Sequence, residues 1–406
     1  MEGPILIIGA GQAGASLAAK LRALGFGGPM TLIGDEAALP YQRPPLSKKY
    51  LAGELSVDRL LVRAASWYQE QRIEVITDRR VTALQPEAKT VTLSDGRQLS
   101  YGKLALTTGS RPRRLPAAIG GDLNGVFTMR DLRDADGIAP HLLAGKRMLI
   151  VGGGYIGLEA AAVAAGKGLK VTIIEMAARI LQRVAAAATS DYFRTLHQRH
   201  GVDIREEIGL TRLTGKAGQV TGAELSDGTI LDVDLVIVGI GIAPNDDLAQ
   251  AAGLAVDGGI LVNAQCRTSS PDIYAAGDCA CFPWHGLPTR LESVQNAVDQ
   301  AEHAAAAMLG AESDYDPTPW FWSDQYDVKL QIAGLNRGYD MVVLRPGKRA
   351  FSQSVWYFRD DILLAVDAMN DALAYGFGKK MLEAGKTLPK SVAADPAADL
   401  KAWAAA

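Results

Sequence analysis

The feature that most restricts the fold of this chain is a strand–glycine turn–helix–strand pattern that occurs twice. The first copy contains GAGQAG at residues 9–14, and the second contains GGGYIG at residues 152–157. Each follows an apolar run, precedes an alanine-rich stretch and leads to a β-branched run ending in an acid, Asp35 or Glu175. The repeat predicts an α/β protein with two Rossmann-like dinucleotide-binding domains.

The glycines of such a motif have separate tasks. The first permits a tight turn, the second lets a pyrophosphate approach the backbone, and the third allows the helix to pack closely on the strand. The helix N-terminus then presents free N–H groups to the phosphates, and the acid accepts hydrogen bonds from a ribose. A single glycine-rich turn is weak evidence, but the complete context of both copies favours nucleotide sites over merely structural turns.

The acid of the second copy also bears on the type of nicotinamide cofactor. Glu175 occupies the place where the 2′-phosphate of NADPH would lie. Two like charges about 4 Å apart repel by roughly 4 kcal/mol at an effective dielectric near 20. This predicts a preference for NADH, which Arg179, one turn later, could partly offset.

The two copies stay similar beyond their glycine motifs. LSDG at residues 93–96 and at 225–228 predicts a hairpin turn in each, followed by the apolar runs 104–109 and 235–239. The first copy is about one loop longer, and the proline-rich segment 40–61 is the natural place for that loop.

One further segment has no counterpart in the repeat. Residues 268–278 read as a short strand that ends in Gly277-Asp278. An aspartate at the carboxyl end of such a strand faces the ligand crevice, where it could hold a polyhydroxyl chain such as the ribityl chain of FAD. The alternative is an ordinary aspartate cap of a following helix.

Composition and charge exclude several classes of protein. The net charge of −3 gives no overall basicity that would indicate nucleic acid as a partner. The longest apolar stretches are strand-sized, and the first strand begins too early for a secretory leader, so we expect a cytoplasmic protein without a membrane span. Cys266, Cys279 and Cys281 form no CxxC pair, which favours small buried thiols over a disulfide or zinc site.

The chain resembles the FAD-dependent pyridine nucleotide reductases of the glutathione reductase-like fold. Within them it is similar to the NADH-dependent ferredoxin reductases that serve cytochrome P450 and aromatic dioxygenase systems. The likeness covers essentially the whole chain, and its markers are RPPLSK at 43–48, the stretch 152–159, Gly277-Asp278, ESVQNA at 292–297 and PWFWSDQ at 319–325.

The resemblance implies a division of the chain and a set of cofactor contacts. It implies an FAD domain at 1–111 and 236–311, a NAD domain at 112–235 and a C-terminal α+β domain at 315–406, with an antiparallel sheet and a final helix at 399–405. The implied FAD contacts are Gly9, Gly11, Ala13, Gly14, Asp35 (or Glu36 in its place), Lys48, Val81, Arg130, Asp278 and Val294. The implied NADH contacts are Gly152, Gly154, Ile156, Gly157 and Glu175, with Glu159 near the nicotinamide and near Lys48.

The resemblance also implies a reaction in which NADH reduces FAD, and electrons then pass singly to a [2Fe–2S] ferredoxin that serves a P450. Lys48 would tune the flavin, although by pattern alone it could be a surface lysine near a helix start. Trp322, with Trp320, would line the electron exit, although two aromatics at this spacing also suit a core pair. Basic candidates for an acidic ferredoxin are Arg290, Lys329, Lys379 and Lys380, although such a residue is more often an ordinary solvated charge.

Several relatives of this fold remain alternatives. Disulfide reductases need a dithiol, and residues 40–48 contain no cysteine, so that class is excluded. A rubredoxin or nitrite-system reductase and a monodehydroascorbate-type reductase stay open. So does an NADH-sensing flavoprotein resembling apoptosis-inducing factor, whose output would be a partner interaction.

Overall fold

The computed structural model describes residues 3–405, which divide into two compact units. The first unit comprises the chain up to Arg43, Val57–Arg111 and Ile242–Pro319. The second unit comprises Pro44–Ser56, Pro112–Gly241 and the chain from Trp320 onward. The proline-rich insertion of the first repeat therefore contributes part of its length to the second unit.

The helices are α1 (Gln12–Ala23), α2 (Ala65–Glu70), α3 (Leu132–Ile138), α4 (Tyr155–Gly166), α5 (Ala187–Arg199), α6 (Asp247–Ala251), α7 (Val294–Met308), α8 (Ala372–Glu383), α9 (Lys390–Ala394) and α10 (Leu400–Ala405). Short 3-10 turns are present at Pro44–Ser47, Val57–Arg59, Ala117–Ile119 and Ala139–His141. The strands are β1 (Ile5–Ile8), β2 (Met30–Ile33), β3 (Ile73–Ile76), β4 (Val81–Gln85), β5 (Thr90–Leu93), β6 (Gln98–Ser100), β7 (Lys103–Leu106), β8 (Ser110–Pro112), β9 (Val126–Phe127), β10 (Arg147–Val151), β11 (Lys170–Glu175), β12 (Asp203–Glu206), β13 (Leu210–Lys216), β14 (Gln219–Leu225), β15 (Ile230–Asp232), β16 (Leu235–Val238), β17 (Ile242–Pro244), β18 (Ile260–Leu261), β19 (Ile273–Ala275), β20 (Ala280–Trp284), β21 (Leu287–Thr289), β22 (Trp320–Gln325), β23 (Val328–Gly334), β24 (Met341–Pro346), β25 (Gln353–Arg359) and β26 (Ile362–Met369).

A parallel five-stranded sheet forms the centre of the first unit, in the order β19-β7-β1-β2-β3. All four residues of β1 are apolar and buried, as expected for a strand covered on both faces. In register, Ile5 pairs with Met30 on one side and with Lys103 on the other. Helices α1 and α7 pack against each other, and the small residues on their facing sides permit a close approach.

The second unit repeats this arrangement with the sheet β12-β11-β10-β16-β9, which is also parallel. Leu235–Val238 pairs with β10 in this sheet. The expected domain boundary at residue 236 is therefore wrong, because it cuts through a strand of the second unit. The hairpins predicted at both LSDG sequences are confirmed, with Gly96 and Gly228 at positive φ.

The C-terminal part of the second unit is an antiparallel sheet in the order β22-β23-β26-β25-β24. Trp356 and Phe358 of this sheet pack with Phe377 and Met381 of α8 in one apolar core. The expected antiparallel sheet and final helix are confirmed. Residues from 320 onward belong to the same compact unit as the second nucleotide fold.

Between residues 3 and 405, no helix has both the length and the apolar character needed to cross a bilayer.

Candidate functional site

The glycine turn between β1 and α1 leaves open space at one position only. Gly9 has a φ of +111°, and a Cβ on it would lie 2.1 Å from the carbonyl oxygen of Thr107. A Cβ on Gly14 would lie 2.0 Å from the carbonyl oxygen of Gly9. A Cβ on Gly11 would meet no atom within 4 Å. The turn thus fits a ligand that approaches the backbone at Gly11, as the pyrophosphate of FAD would.

The turn between β10 and α4 divides the same tasks among its glycines. Gly152 has a φ of +105°, and its Cβ would lie 2.5 Å from the carbonyl oxygen of Gly239. A Cβ on Gly157 would lie 2.5 Å from the oxygen of Gly152, whereas Gly154 again faces open space. Ile156 is exposed near the start of α4. This second cradle fits the pyrophosphate of a nicotinamide dinucleotide.

Glu175, at the end of β11, is fixed against the second glycine turn. Its Oε2 accepts a hydrogen bond from the Gly153 N–H at 2.8 Å, and its Oε1 accepts one from the Ala177 N–H at 2.8 Å. Arg179, which could have offset the negative charge, donates to the hydroxyl of buried Ser190 at 2.6 Å. The Glu175 carboxylate is thus held beside the second glycine turn, while one nitrogen of the Arg179 guanidinium is hydrogen-bonded to Ser190.

The corresponding acid of the first unit is exposed. Asp35 follows β2 with an open side chain, while the carboxylate of the neighbouring Glu36 accepts hydrogen bonds from Tyr41 and Arg43. This difference favours Asp35 over Glu36 as the group that would hold a ribose.

Asp278 lies at the carboxyl end of the first unit's sheet, shortly after β19. Its Oδ2 accepts a hydrogen bond from the Ser110 hydroxyl at 2.7 Å. The residues that follow form β20 rather than a helix, so the helix-cap alternative is wrong. Val294 is the first residue of α7, and Val81 is a buried residue at the start of β4.

The closest pairing of the predicted residues is between Lys48 and Glu159 in the second unit. Lys48 follows the 3-10 turn Pro44–Ser47, and Glu159 lies on α4. The Lys48 Nζ lies 3.0 Å from Glu159 Oε1, and the two side chains are 17% and 4% exposed. Lys48 is therefore not an ordinary surface lysine.

Two hydroxyl groups that sequence reasoning missed complete the surroundings of Glu159. The Ser47 hydroxyl donates to Oε2 at 2.8 Å, and the Ser323 hydroxyl donates to Oε1 at 2.7 Å. Burial raises the pKa of Glu159, and Lys48 and both hydroxyls act in the opposite direction. Asp324 places an oxygen 3.9 Å from the Lys48 Nζ, so the ammonium has a second acidic neighbour.

Trp320 and Trp322 lie on β22 with their ring centroids 5.6 Å apart. Trp320 also contacts Tyr375, with a centroid separation of 6.4 Å. Neither tryptophan is fully buried, which does not fit a pair enclosed in the core.

Residues 3–301 match the family described as pyridine nucleotide-disulphide oxidoreductase. The chain belongs to this family. Residues 320–404 match a second family, described as reductase C-terminal, and this match coincides with the antiparallel sheet and the helices after it.

Among relatives of this pyridine nucleotide-disulphide oxidoreductase, a ferredoxin–NAD(P)⁺ reductase from Sphingomonas sp is 43% identical over 98% of this chain and 96% of its own length. Putidaredoxin reductase from Pseudomonas putida is 41% identical over the same shares. The crystal structure of the covalent putidaredoxin reductase–putidaredoxin complex matches with a TM-score of 0.95 at 40% identity, covering 99% of both chains. The expected two Rossmann-like folds with an α+β C-terminal part are confirmed.

Although the family is named for disulfide chemistry, the three cysteines of this chain do not suit such a reaction. Cys266, Cys279 and Cys281 are all buried thiols. Burial raises the pKa of Cys266 to about 12 and raises that of Cys279 as well, which disfavours the reactive thiolate. Among residues 3–405, no group of three or more His, Cys, Asp or Glu side chains could hold a metal ion.

The predicted basic residues differ in how far they are engaged. The Arg290 guanidinium donates to the carbonyl oxygens of Gly258 at 2.9 Å and Asp278 at 3.1 Å, and pairs with Glu292 at 2.6 Å. Its charge is therefore used within the first unit, which argues against a role in steering a partner.

Arg130, one of the predicted FAD contacts, donates its backbone N–H to Asp134 at the start of α3.

The lysines of the C-terminal part are more open. Lys379 pairs with Glu383 one turn along α8, while Lys380 is exposed. Lys329 is exposed and lies opposite Asp324 in the β22–β23 pairing. Of these cations, Lys329 and Lys380 are the exposed ones.

Proposed function

We propose that this protein is an NADH-dependent ferredoxin reductase that carries FAD and supplies electrons to a [2Fe–2S] ferredoxin serving a cytochrome P450 or related oxygenase. The observation that carries the proposal is its likeness to ferredoxin reductases at about 40% identity over 98% of the chain. The two glycine cradles, each with open space at its middle glycine, support the use of two dinucleotides.

In this proposal, the first unit holds FAD chiefly through its glycine turn, Asp35 and Asp278. FAD supplies the chemistry that a protein side chain lacks, since it accepts a hydride and passes electrons on singly. The chain's own residues bind and orient it. The proposed contacts are Gly9, Gly11, Ala13, Gly14, Asp35, Lys48, Val81, Arg130, Asp278 and Val294.

The second glycine turn is the proposed NADH site. Glu175, fixed by two backbone N–H groups, would accept hydrogen bonds from the adenosine ribose and repel a 2′-phosphate. The engagement of Arg179 by Ser190 supports this preference for NADH. The proposed contacts are Gly152, Gly154, Ile156, Gly157 and Glu175.

Lys48 and Glu159 are the proposed catalytic residues for flavin reduction. A lysine with little access to water exerts its charge strongly on its surroundings. Glu159 holds the Lys48 ammonium in place through the ion pair and partly neutralises its positive charge. Trp322, with Trp320 beside it, is the proposed electron exit, and Lys379 and Lys380 are proposed to contact the acidic ferredoxin.

The proposal is tested anaerobically with the purified protein. We expect a yellow protein whose flavin absorbance bleaches on addition of NADH and returns on addition of an oxidised [2Fe–2S] ferredoxin. NADPH at the same concentration should bleach it much more slowly. A colourless protein that takes up no FAD, or a flavin that NADH leaves oxidised, would contradict the proposal.

The same assay separates the alternatives. Rubredoxin or monodehydroascorbate in place of ferredoxin would reoxidise the flavin faster if either were the preferred acceptor. A sensor of the apoptosis-inducing factor type would instead keep a long-lived reduced complex with NAD⁺ and turn over very slowly with every acceptor.

We further propose that the protein works in the cytoplasm. Its electron donor is a cytoplasmic metabolite, and its three cysteines are buried thiols, as is usual in a reducing compartment. Recovery of the enzyme activity in a membrane or periplasmic fraction would contradict this.

A further inference from the structure

Within the second unit, a row of hydrogen-bonded, buried polar side chains begins at Glu159. Ser323, which donates to Glu159, accepts a hydrogen bond from the Gln325 amide nitrogen at 3.2 Å. The Gln325 Oε1 lies 2.8 Å from the Nε2 of His197 on α5. Ser323, Gln325 and His197 are fully buried.

The hydrogen bonds of this row have one consistent direction. Since the Gln325 nitrogen donates to Ser323, its oxygen accepts, and the hydrogen between Gln325 and His197 belongs to the imidazole. Burial lowers the pKa of His197 to about 4, so the ring is neutral near pH 7. Its Nδ1 lies 3.3 Å from the Tyr326 hydroxyl, which can donate to it. Every donor in the row thus faces toward Glu159.

A row built in this way orients a carboxylate rather than conducting a proton. The Gln325 amide has no readily exchanged protonation state, so it interrupts any relay between His197 and Ser323. Aligned donors do, however, polarise one another and stabilise the negative charge at their end.

We propose that Ser323, Gln325 and His197 are positioning residues that hold the Glu159 carboxylate, and through it the Lys48 ammonium, in a single arrangement. The inference rests on the proposed role of Lys48 and Glu159 in flavin reduction. Ser323 and Gln325 are two residues apart on β22, so their side chains share a face of the sheet. His197 fixes which way the Gln325 amide is turned.

The charged and titratable groups around the row make its effect measurable. Glu159 pairs with Lys48 directly, and Asp324 has an oxygen 3.9 Å from the same ammonium. His200 stacks on Tyr326 at the other end of the row. Loss of a donor to the charged form of a carboxyl raises its pKa, so the titration of Glu159 reports on the row without any turnover.

The test compares Ser323→Ala, Gln325→Met and the double variant in the FAD-loaded protein. The pKa of Glu159 is followed by carboxyl ¹³C NMR, and flavin reduction by NADH is followed in a single turnover. We expect Ser323→Ala to raise the Glu159 pKa and to slow reduction by about tenfold, as loss of one hydrogen bond to a charged group implies. Gln325→Met should act in the same direction more weakly, and should add little in the double variant because it acts through Ser323.

Ser354→Ala is the matched control. Ser354 is equally buried on β25 and accepts a hydrogen bond from the Trp356 indole, away from Lys48. This variant should leave the Glu159 titration and the rate of flavin reduction unchanged.

The outcomes separate the inference from the proposed function. If Gln325→Met leaves the Glu159 pKa unchanged, or if the effects of the two substitutions add up in the double variant, Gln325 and His197 do not act on Glu159 through Ser323. Unchanged reduction rates despite a shifted pKa would overturn its role in the reaction. If NADH fails to reduce the flavin of the unaltered protein, the proposed function fails, and the titration still decides whether the row positions Glu159. Should Ser323→Ala not fold, the Glu159 pKa and the reduction rate of Gln325→Met decide between these outcomes.

Discussion

Lys48 and Glu159 form an ion pair with little access to water. Methionine at position 48 would keep the apolar stem and remove the charge. We expect Lys48→Met to slow flavin reduction by NADH about tenfold or more, equivalent to losing roughly 1.4 kcal/mol of transition-state stabilisation. Anaerobic single-turnover kinetics measure this. Lys49→Met, a change at the exposed neighbouring lysine, is the control, and an unchanged rate for Lys48→Met would remove Lys48 from the reaction.

Asp367 is a buried acid that forms no ion pair with a Lys or Arg among residues 3–405. It accepts hydrogen bonds from the hydroxyls of Tyr357 and Thr189, and burial raises its pKa from 3.8 to about 6. An acid with a raised folded-state pKa favours the folded state below its unfolded value and loses that contribution as the pH rises through its folded value. The protein should therefore lose stability at this residue between about pH 4 and pH 6.

The substitution Asp367→Asn tests whether Asp367 lowers the folding stability as the pH rises. The amide can still accept from both hydroxyls but does not titrate, so the variant should gain in thermal unfolding midpoint over the unaltered protein as pH rises from about 4 to about 7. His197 acts oppositely over much of this range, because burial lowers its pKa, but its contribution is common to both proteins. A difference in midpoint that stays constant with pH would contradict the prediction.

At the scale of elements, the two glycine turns give a matched pair of substitutions. Gly11 has a φ of −90° and open space at its Cβ position, whereas a Cβ on Gly14 would lie 2.0 Å from a backbone oxygen. We expect Gly11→Ala to fold but to bind FAD more weakly, and Gly14→Ala to lower the thermal stability. Gly154→Ala should keep FAD and weaken NADH binding. Absorbance of the purified variants and NADH titrations measure these effects, and full FAD occupancy in Gly11→Ala would argue against the cradle.

The strand β22 carries the proposed electron exit. Trp322→Ala should leave NADH–ferricyanide activity near normal and reduce ferredoxin reduction severalfold, because only the protein acceptor needs that surface. Trp403→Ala removes an exposed tryptophan, 42% accessible, from α10 and serves as the control. Equal loss with both acceptors would point to a structural role for Trp322.

Local patterns predict most elements, and the family resemblance predicts the pair of Lys48 and Glu159, but neither predicts what surrounds the pair. Glycine spacing, apolar runs and turn sequences report on neighbours along the chain, and the hairpins and parallel strands follow from them. The hydroxyls on Glu159 come from residues 112 and 164 positions away in the sequence. Serine has no strong pattern of its own, so Ser47 and Ser323 are visible only as part of the family markers RPPLSK and PWFWSDQ.

At the scale of the whole molecule, the net charge is −3, so attraction of an acidic ferredoxin depends on local charge. We expect ferredoxin reduction to slow as ionic strength rises, because salt screens such steering over about 10 Å at 0.1 M. Lys380→Glu should lower the low-salt rate and flatten the salt dependence, while Lys167→Glu, on another part of the second unit, should not. Rates that do not decline with salt would contradict a basic docking surface.

The division of the chain is the least predictable feature. Repeats reveal which elements exist, but membership of a unit depends on packing. Lys48 illustrates this, since its segment Pro44–Ser56 arises within the first repeat and packs in the second unit. The strand at 235–238 crosses the boundary expected from the sequence for the same reason.

Each unit is assembled from three separate stretches of chain. A ribosome must therefore release residues as far as Pro319 before the first unit has all its residues, and the rest of the polypeptide before the second does. Neither half can be cut out as one contiguous fragment. The tertiary structure can therefore be completed only late in translation.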